Sequence, residues 1–329
     1  MKHILLLAAF VLAACGTPTT YPAAVPTATP LTAVPAPTAT VVMATATPVP
    51  LADSTLTDSA GRTVVVKQPV RRIVSLAPST TEIVAALDGL ERLIAIDMYS
   101  DFPTEVSALP KITNPDMSVD YEQITASAPD VVFAAGITAP DVIAAIEKLG
   151  IPVVIVGAPT ATFASVLADI RLVGTALQRD TEAQMLTGTM QTEWQALADK
   201  VAKTSDRPTV FWELDATDPA KPYTVGPDSF VAELLQVAGG TNIFADVTDA
   251  YPQVSLEQIV AKAPDTIILA DSLWGVTPES VVARAGWDSI PAVQNQRVFP
   301  IDDNIVSRPG PRIVQGLQAV VAILHPELK

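Results

Sequence analysis

Histidine and cysteine are nearly absent from this chain. Its 329 residues include 2 histidines and 1 cysteine, so no internal disulfide can form and a bare zinc or manganese site lacks its usual ligands. A Ser-His-Asp hydrolase is disfavoured for the same reason, since only His3 and His325 are available and no Gly-x-Ser-x-Gly turn occurs. We therefore expect a protein that is not an enzyme, with no catalytic residue, no metal-ligating residue and no cofactor.

Basic residues are outnumbered by acidic ones. The sequence has 20 Lys and Arg against 35 Asp and Glu, a formal charge of −15, which disfavours nucleic acid as a partner because phosphates require clustered cations. Neither a Gly-x-Gly-x-x-Gly motif nor a P-loop occurs, so dinucleotide binding and ATP hydrolysis lack support. Any ATP hydrolysis linked to this chain is expected to belong to a partner subunit.

Long apolar runs are also missing. The apolar stretch from Ile4 to Ala14 follows Lys2 and is too short to span a bilayer as a helix. This pattern is typical of an export signal, assigned to residues 1–15. The residues Leu-Ala-Ala-Cys at its end resemble the lipobox of bacterial lipoproteins, which predicts lipidation at Cys15; the alternative is an ordinary signal with a chance cysteine.

The rest of the chain divides by composition and periodicity. Residues 16–52 contain no charged residue and are rich in Thr, Pro, Ala and Val. This composition predicts a disordered tether. Apolar strand patterns alternate with helical ones over 53–159 and again over 204–329. This alternation predicts the α/β class, with two lobes that each hold a mainly parallel sheet flanked by helices. Between them, 160–203 shows helical spacing throughout, and one long bridging helix over about 181–203 is expected to join the lobes.

A segment of eleven residues occurs twice. DYEQITASAPD at 120–130 returns as SLEQIVAKAPD at 255–265, with seven identical positions. Copies so far apart indicate two similar lobes rather than a short-period solenoid. Each copy carries a glutamate, Glu122 or Glu257, at the second position of a predicted helix. A helix start is also predicted near residue 79, where Ser79 and Glu82 have the spacing of a capping box.

With these landmarks the chain resembles the solute-binding proteins of ABC importers for vitamin B12, iron-siderophores and haem, the helical-backbone class III of periplasmic binding proteins. The resemblance extends over most of residues 60–325 and is strongest to the cobalamin-binding branch. It rests on RRIVSLAPSTTEIVAAL (71–87), YSDFP (99–103), the two copies of the repeat, YPQVSLEQI (251–259) and SRPGPRI (307–313). The implied architecture is two α/β lobes bridged by a rigid helix, with the ligand between them.

The resemblance implies a docking role for the repeated glutamates. In this family one glutamate from each lobe forms a salt bridge with arginines of the transmembrane permease dimer, and the matching positions are Glu122 and Glu257. The alternative is local, because a carboxylate at the second position of a helix gains about 0.3–1 kcal/mol from the helix dipole.

Candidate ligand contacts are aromatic or basic. Tyr99 and Tyr251 lie at family positions for aromatic contact, and Trp212 and Tyr223 flank the loop after the first strand of the second lobe. The cobalamin branch often has tryptophans where this chain has Asp116 and Ala135, which weakens the assignment of cobalamin itself.

Polar candidates follow the last predicted strand and a helix start. Arg308 is expected to fork onto a carboxylate or phosphate of the ligand, whereas Arg312 is equally compatible with an ion pair within its own lobe. Asp303 and Asn304 lie at the cleft end of the same lobe. Amides of 79–81 would suit an anion, although helix capping explains these residues as well.

Together these features predict an exported, lipid-anchored protein at the outer face of the cell membrane that captures a ligand without chemistry. It would bind a metal chelate such as a corrinoid, a ferric siderophore or haem. As a monomer it would deliver the chelate to an ABC permease dimer with its ATPase subunits. A sensor or adhesion lipoprotein on the same scaffold remains the alternative.

Overall fold

Two four-stranded parallel sheets form the centres of two lobes. The computed structural model describes residues 51–114, 116, 118–158 and 160–328. The predicted signal, Cys15 and all but the last two residues of the predicted tether lie outside these ranges. The strands are β1 Ser54–Thr57, β2 Thr63–Val66, β3 Ile73–Ser75, β4 Leu93–Ile96, β5 Val131–Ala135, β6 Val153–Val156, β7 Thr209–Glu213, β8 Thr241–Asn242, β9 Thr266–Leu269 and β10 Val298–Pro300.

Helices cover the sheets and connect their strands. They are α1 Pro78–Val84, α2 Tyr121–Ser127, α3 Pro140–Lys148, α4 Phe163–Leu177, α5 Asp180–Val201, α6 Phe230–Val237, α7 Leu256–Lys262, α8 Pro278–Val282, α9 Pro291–Gln294, α10 Asp303–Val306 and α11 Ile313–Leu324. Within the described ranges, no helix combines the length and the hydropathy that a bilayer crossing requires.

The two sheets share one strand order. The sheet of the N-terminal lobe runs β4-β3-β5-β6 and that of the C-terminal lobe runs β8-β7-β9-β10, all with parallel pairing. Numbered along the chain within each lobe, both sheets therefore have the order 2-1-3-4. The strands β3, β6 and β9 are buried along their whole length, as expected for parallel strands covered on both faces. The predicted α/β class with two parallel sheets is confirmed.

A pair of antiparallel helices connects the lobes. Helix α5 packs against α4 along its length and against α11 of the C-terminal lobe. The rings of Phe163 and Trp194 stack with centroids 4.0 Å apart and planes 6° from parallel. Ser54 Oγ donates to the carbonyl of Thr175 at 3.0 Å, which ties the end of α4 to β1. With 22 residues at about 1.5 Å each, α5 spans roughly 33 Å, and it is the predicted bridging helix.

The predicted capping box at Ser79 is wrong. Helix α1 begins at Pro78 with Ala77 as its N-cap and no side-chain cap, because a proline at the first helical position needs no hydrogen-bond acceptor for its nitrogen. Ser79 is thus inside the helix. Glu82 is turned into the interior instead of back toward the helix start, and only 3% of its surface is exposed.

Candidate functional site

The carboxyl ends of both sheets open onto one cleft between the lobes. Two adjoining cavities occupy it, with volumes of about 510 Å³ and 380 Å³, which lie in the range of small-molecule sites. The first cavity receives Tyr99 and Ile137 from the N-terminal lobe and Trp274 and Asn304 from the C-terminal lobe. The second receives Ser79 and Ala158 from one lobe and Phe230 and Tyr251 from the other. Both cavities share the walls formed by Ala77, Pro78, Ala135, Ile137 and Arg308.

The lining of the N-terminal lobe follows from its topology. Residues just after β3, β4, β5 and β6 reach the same edge of the sheet because the four strands are parallel. They supply Ala77 after β3, Tyr99 after β4, Ile137 after β5 and Gly157 after β6. The cleft is therefore built from residues that are distant along the chain.

Four of the six predicted ligand contacts lie in this cleft. Tyr99 and Asn304 line the first cavity, Tyr251 lines the second, and Arg308 lines both. Tyr223 is exposed, but it lines neither cavity. Trp212 has an exposed fraction of 0% and packs in the core, because a central parallel strand is covered on both faces. Its ring therefore presents no surface to the cleft and is not available to a ligand there.

A buried glutamate joins the lobes at the back of the cleft. Glu82 of α1 accepts two hydrogen bonds from Arg312, from Nε at 2.9 Å and from Nη2 at 2.6 Å. Arg308 Nη1 also donates to Glu82, at 3.2 Å, and to the exposed Asp101 at 2.6 Å. The guanidinium of Arg312 lies 4.1 Å from the ring centroid of Phe102. We call Glu82, Arg308 and Arg312 the interlobe ion cluster; Arg312 thus pairs with the opposite lobe and not with its own.

A network of hydroxyl groups supports the segment that carries Tyr99. Thr81 Oγ1 donates to Ser75 Oγ at 2.8 Å and lies 2.8 Å from Ser100 Oγ. Ser100 Oγ in turn donates to Asp97, whose carboxylate also accepts from the amide of Tyr99 at 2.8 Å. Burial raises the pKa of Asp97 above its ordinary value. Both hydrogen bonds of the Thr81 hydroxyl are made within this network. The network therefore positions the segment that carries Tyr99 in the cleft wall.

Sequence reasoning missed two large apolar residues of the cleft. Trp274 and Ile137 both line the first cavity, with exposed fractions of 82% and 86%. Each lies a few residues beyond the carboxyl end of a strand, β9 or β5. The rule that open sheets bind ligands at this end, which was applied to Trp212 and Tyr223, could have found them.

Neither a metal centre nor a catalytic triad is evident in the part of the chain that the structure describes. No group of three or more His, Cys, Asp or Glu side chains there is arranged to hold a metal ion. His325 is buried, and its Nε2 lies 3.0 Å from the carbonyl of Ala238.

Another buried acid, Asp271, lies in the short turn that carries Trp274. Arg284 makes a two-pronged ion pair with Glu213 at 2.6 and 2.8 Å. Asp271 is buried beside this pair, and it accepts one bond from the amide of Ala216 at 3.3 Å. Burial, followed by repulsion from Glu213, raises the pKa of Asp271 from 3.8 to about 7, because both effects disfavour its charged form.

We expect Asp271→Asn to make unfolding less dependent on pH. In the wild type the folded carboxyl keeps its proton up to about pH 7, whereas the unfolded one loses it near 3.8. The folded state therefore binds more protons in this window, and its free energy of unfolding falls as pH rises from about 4 to 7, by on the order of 4 kcal/mol. Asparagine stays neutral, so the variant should gain stability relative to the wild type over the same window and then level off.

Denaturant unfolding between pH 4 and 8 measures this difference. Asp228→Asn serves as the control, because Asp228 is exposed and its substitution should leave the pH profile unchanged. A stability difference between Asp271→Asn and wild type that stays constant with pH would contradict the assignment.

The two copies of the repeat adopt the same local geometry. Helices α2 and α7 both end at an alanine in the left-handed region, Ala128 with φ 43° and Ala263 with φ 44°. The final aspartates hold the start of the first parallel strand of each lobe, β3 or β7: Asp130 accepts from the amide of Arg72 at 2.9 Å and Asp265 from that of Thr209 at 2.9 Å. The structure thus assigns a local role to these identical positions.

Unlike these aspartates, the two glutamates of the repeat make no hydrogen bond to a strand within the described residues. Glu122 and Glu257 both occupy the second position of their helix and are exposed. Neither enters a salt bridge with another of the described residues. Two exposed carboxylates, one on each lobe, are left available to an external partner.

Comparison with known proteins places this geometry in a family. Residues 73–305 match the family model described as periplasmic binding protein. The chain is 31% identical over 278 residues to the ABC transporter substrate-binding lipoprotein YvrC of Bacillus subtilis (strain 168), covering 83% of this chain and 86% of that protein.

Solved structures agree with this match. The vitamin B12-binding protein BtuF of Vibrio cholerae superposes with a TM-score of 0.67 at 26% identity, covering 79% of this chain and 99% of that one. The haem-binding protein RhuT of Roseiflexus sp. RS-1 gives a TM-score of 0.70 at 25% identity, covering 79% of this chain and 100% of that one. With the family model matched across both lobes and the cleft between them, the chain belongs to the periplasmic binding protein family.

Proposed function

We propose that this protein is the extracytoplasmic solute-binding component of an ABC importer and that it captures a metal chelate in the cleft. The observation that carries the proposal is the cleft itself, in which residues of both lobes line two adjoining cavities and Arg308 lines both. Similarity to proteins named for vitamin B12 and haem supports a cobalamin or other corrinoid, haem, or a ferric siderophore as the ligand class.

The cleft offers this class both apolar and polar contacts. The rings of Tyr99 and Tyr251 would cover the faces of a macrocycle or catecholate, and Asn304 would hydrogen-bond its edge. Burial raises the pKa of the Tyr251 phenol above its ordinary value, so this side chain acts as a neutral donor or acceptor at physiological pH. We propose these three residues and Arg308 as the ligand contacts.

Arg308 is suited to exchange partners when the ligand enters. Its bond to Asp101 involves a carboxylate whose side chain is 56% exposed, and exposed pairs contribute little to stability, about 0–1 kcal/mol. A ligand carboxylate or carbonyl would replace that partner at small cost. Arg312 remains on Glu82 through its two bonds, so the lobes stay joined during the exchange.

Delivery requires a membrane anchor and a docking surface. We propose that Cys15 is lipidated and that a tether over 16–52 holds the monomeric lobes at the outer face of the cell membrane. Glu122 and Glu257 would then contact the permease dimer, whose ATPase subunits supply the energy. The lipoprotein named among the relatives supports the anchor, and the exposure of both glutamates supports the docking role.

Titration with cyanocobalamin, haemin and a ferric catecholate siderophore tests the proposal. We expect the purified protein to bind at least one of them with a Kd of about 1 μM or tighter. Arg308→Ala should weaken that binding by about tenfold or more, because a charge-assisted bond is lost. Arg171→Ala is the control, since Arg171 is exposed on α4. Absence of binding to all three compounds would reject capture and favour the sensor or adhesion function.

A further inference from the structure

We propose that Trp274 is a ligand-binding residue, and that its indole stacks on the face of a planar conjugated chelate in the first cavity. The inference rests on the proposed function and deepens it. It assigns the ligand a flat face that an aromatic ring of the C-terminal lobe covers.

The exposure of this indole sets it apart from the other tryptophans. The chain has 4 tryptophans. Three of them, Trp194, Trp212 and Trp287, are buried in cores, whereas Trp274 is 82% exposed. An indole is costly to leave in water, and this one lines a cavity of ligand size. Covering it with a ligand face would remove that apolar area from water.

The turn that presents the indole is fixed at its base. Ser272 Oγ donates to the carbonyl of Ile301 at 2.9 Å, which joins the turn to the end of β10. The amide of Gly275 donates to the carbonyl of Ser272 at 3.1 Å, and Gly275 has a φ of 91°, a conformation that favours glycine. A ring held on such a base needs little ordering when a ligand binds, which favours affinity.

The N-terminal lobe supplies the aliphatic lining of the first cavity, which includes Val119, Ala135, Ile137, Ala139 and Val142. A planar ligand held against Trp274 would meet such aliphatic groups on its other face. Polar residues of both lobes also line the cavity, with Asp97, Thr113 and Thr138 on the N-terminal side and Asp303, Asn304 and Arg308 on the C-terminal side. These polar groups are available to the edge of the ligand.

Substitution of the ring with matched controls tests the inference. The variants are Trp274→Ala, Trp274→Phe and Leu273→Ala, and the probes are haemin and cyanocobalamin in calorimetric titrations. Leu273 is exposed on the same turn but lines neither cavity. We expect Trp274→Ala to weaken binding at least tenfold and Trp274→Phe to lose less, because a ring remains. Leu273→Ala should stay within twofold of the wild type. Thermal unfolding of all three variants should match the wild type, since both side chains are exposed.

Other results of these titrations and of import assays would lead to different conclusions. Wild-type affinity in Trp274→Ala would overturn the inference while leaving the proposed function intact, and loss of import without loss of affinity would assign the ring to a permease contact. Equal weakening by Leu273→Ala would show that the turn matters and not the ring. If the wild type binds neither these probes nor the siderophore, the proposed function fails and this inference with it.

Discussion

The double variant Glu122→Arg, Glu257→Arg is expected to abolish import while ligand affinity stays unchanged. Both glutamates are exposed at the second position of helices α2 and α7. Arginine there would place like charges against permease arginines, and like-charge contacts across an interface cost several kcal/mol. Uptake of the chelate by cells that carry the permease should fall by at least a hundredfold.

The physical basis is that local structure does not require these two carboxylates. Asp120 caps α2 by accepting from the amide of Gln123 at 2.9 Å, and Ser255 caps α7 by accepting from that of Gln258 at 3.3 Å. Loss of the glutamate at the second helical position removes only the helix-dipole gain of about 0.3–1 kcal/mol. The variant should therefore fold and bind ligand.

A control with the same charge change separates docking from electrostatics in general. Asp141 of α3 and Glu279 of α8 are also exposed acids at the second position of a helix, one in each lobe. Changing both to arginine alters the net charge and the helix dipoles equally, yet import should continue at near the wild-type rate. Equal loss of import in the two double variants, or loss of ligand affinity in the first, would refute the docking role.

Glu82→Ala is expected to destabilise the folded protein by about 3–5 kcal/mol. Removing one partner of a buried ion pair leaves an uncompensated charge behind, and here Arg312 and Arg308 would both lose their bonds to Glu82. The melting temperature should fall by on the order of 10 °C. Because Glu82 belongs to one lobe and both arginines to the other, the loss also weakens the contact between lobes.

Glu147→Ala provides the matched control. Glu147 pairs with Arg62 at 2.8 Å, but its side chain is 44% exposed, and an exposed pair contributes about 0–1 kcal/mol. Both substitutions remove the glutamate partner of an arginine. The difference between their melting temperatures therefore measures the effect of burying the ion pair. Similar melting temperatures for the two variants, read by circular dichroism or calorimetry, would show that the interlobe ion cluster contributes no more than a surface pair.

Local patterns account for the parts of the fold that were predicted from sequence. The apolar runs of β5 and β9 are bounded by Asp130 and Asp265, and the caps at Asp120 and Ser255 act within three residues. The capping bonds form wherever the backbone takes up the helix, and the apolar runs are continuous along the chain, so a window of about ten residues is enough to predict both.

Side-chain roles that depend on distant partners were predicted less well. Glu82 has the spacing of a capping box, yet its partner Arg312 is 230 residues away. Trp212 lies near the carboxyl end of its strand, as a ligand contact would, but the packed sheet buries it. For Tyr99, Tyr251, Asn304 and Arg308, the structure brings the residues to the cleft, and their contacts with ligand stay predictions.

The alternation of strands and helices, the duplicated segment and the family resemblance follow from the amino-acid sequence alone, because they depend on composition and on spacing along the chain. The folded arrangement was needed to show that Glu82 joins the lobes, that Trp212 is core and that Trp274 lines the cleft. Burial and ion pairing depend on which surfaces the folded lobes bring together. Residues hundreds of positions apart meet there, and neither periodicity nor local hydrogen bonding specifies that meeting.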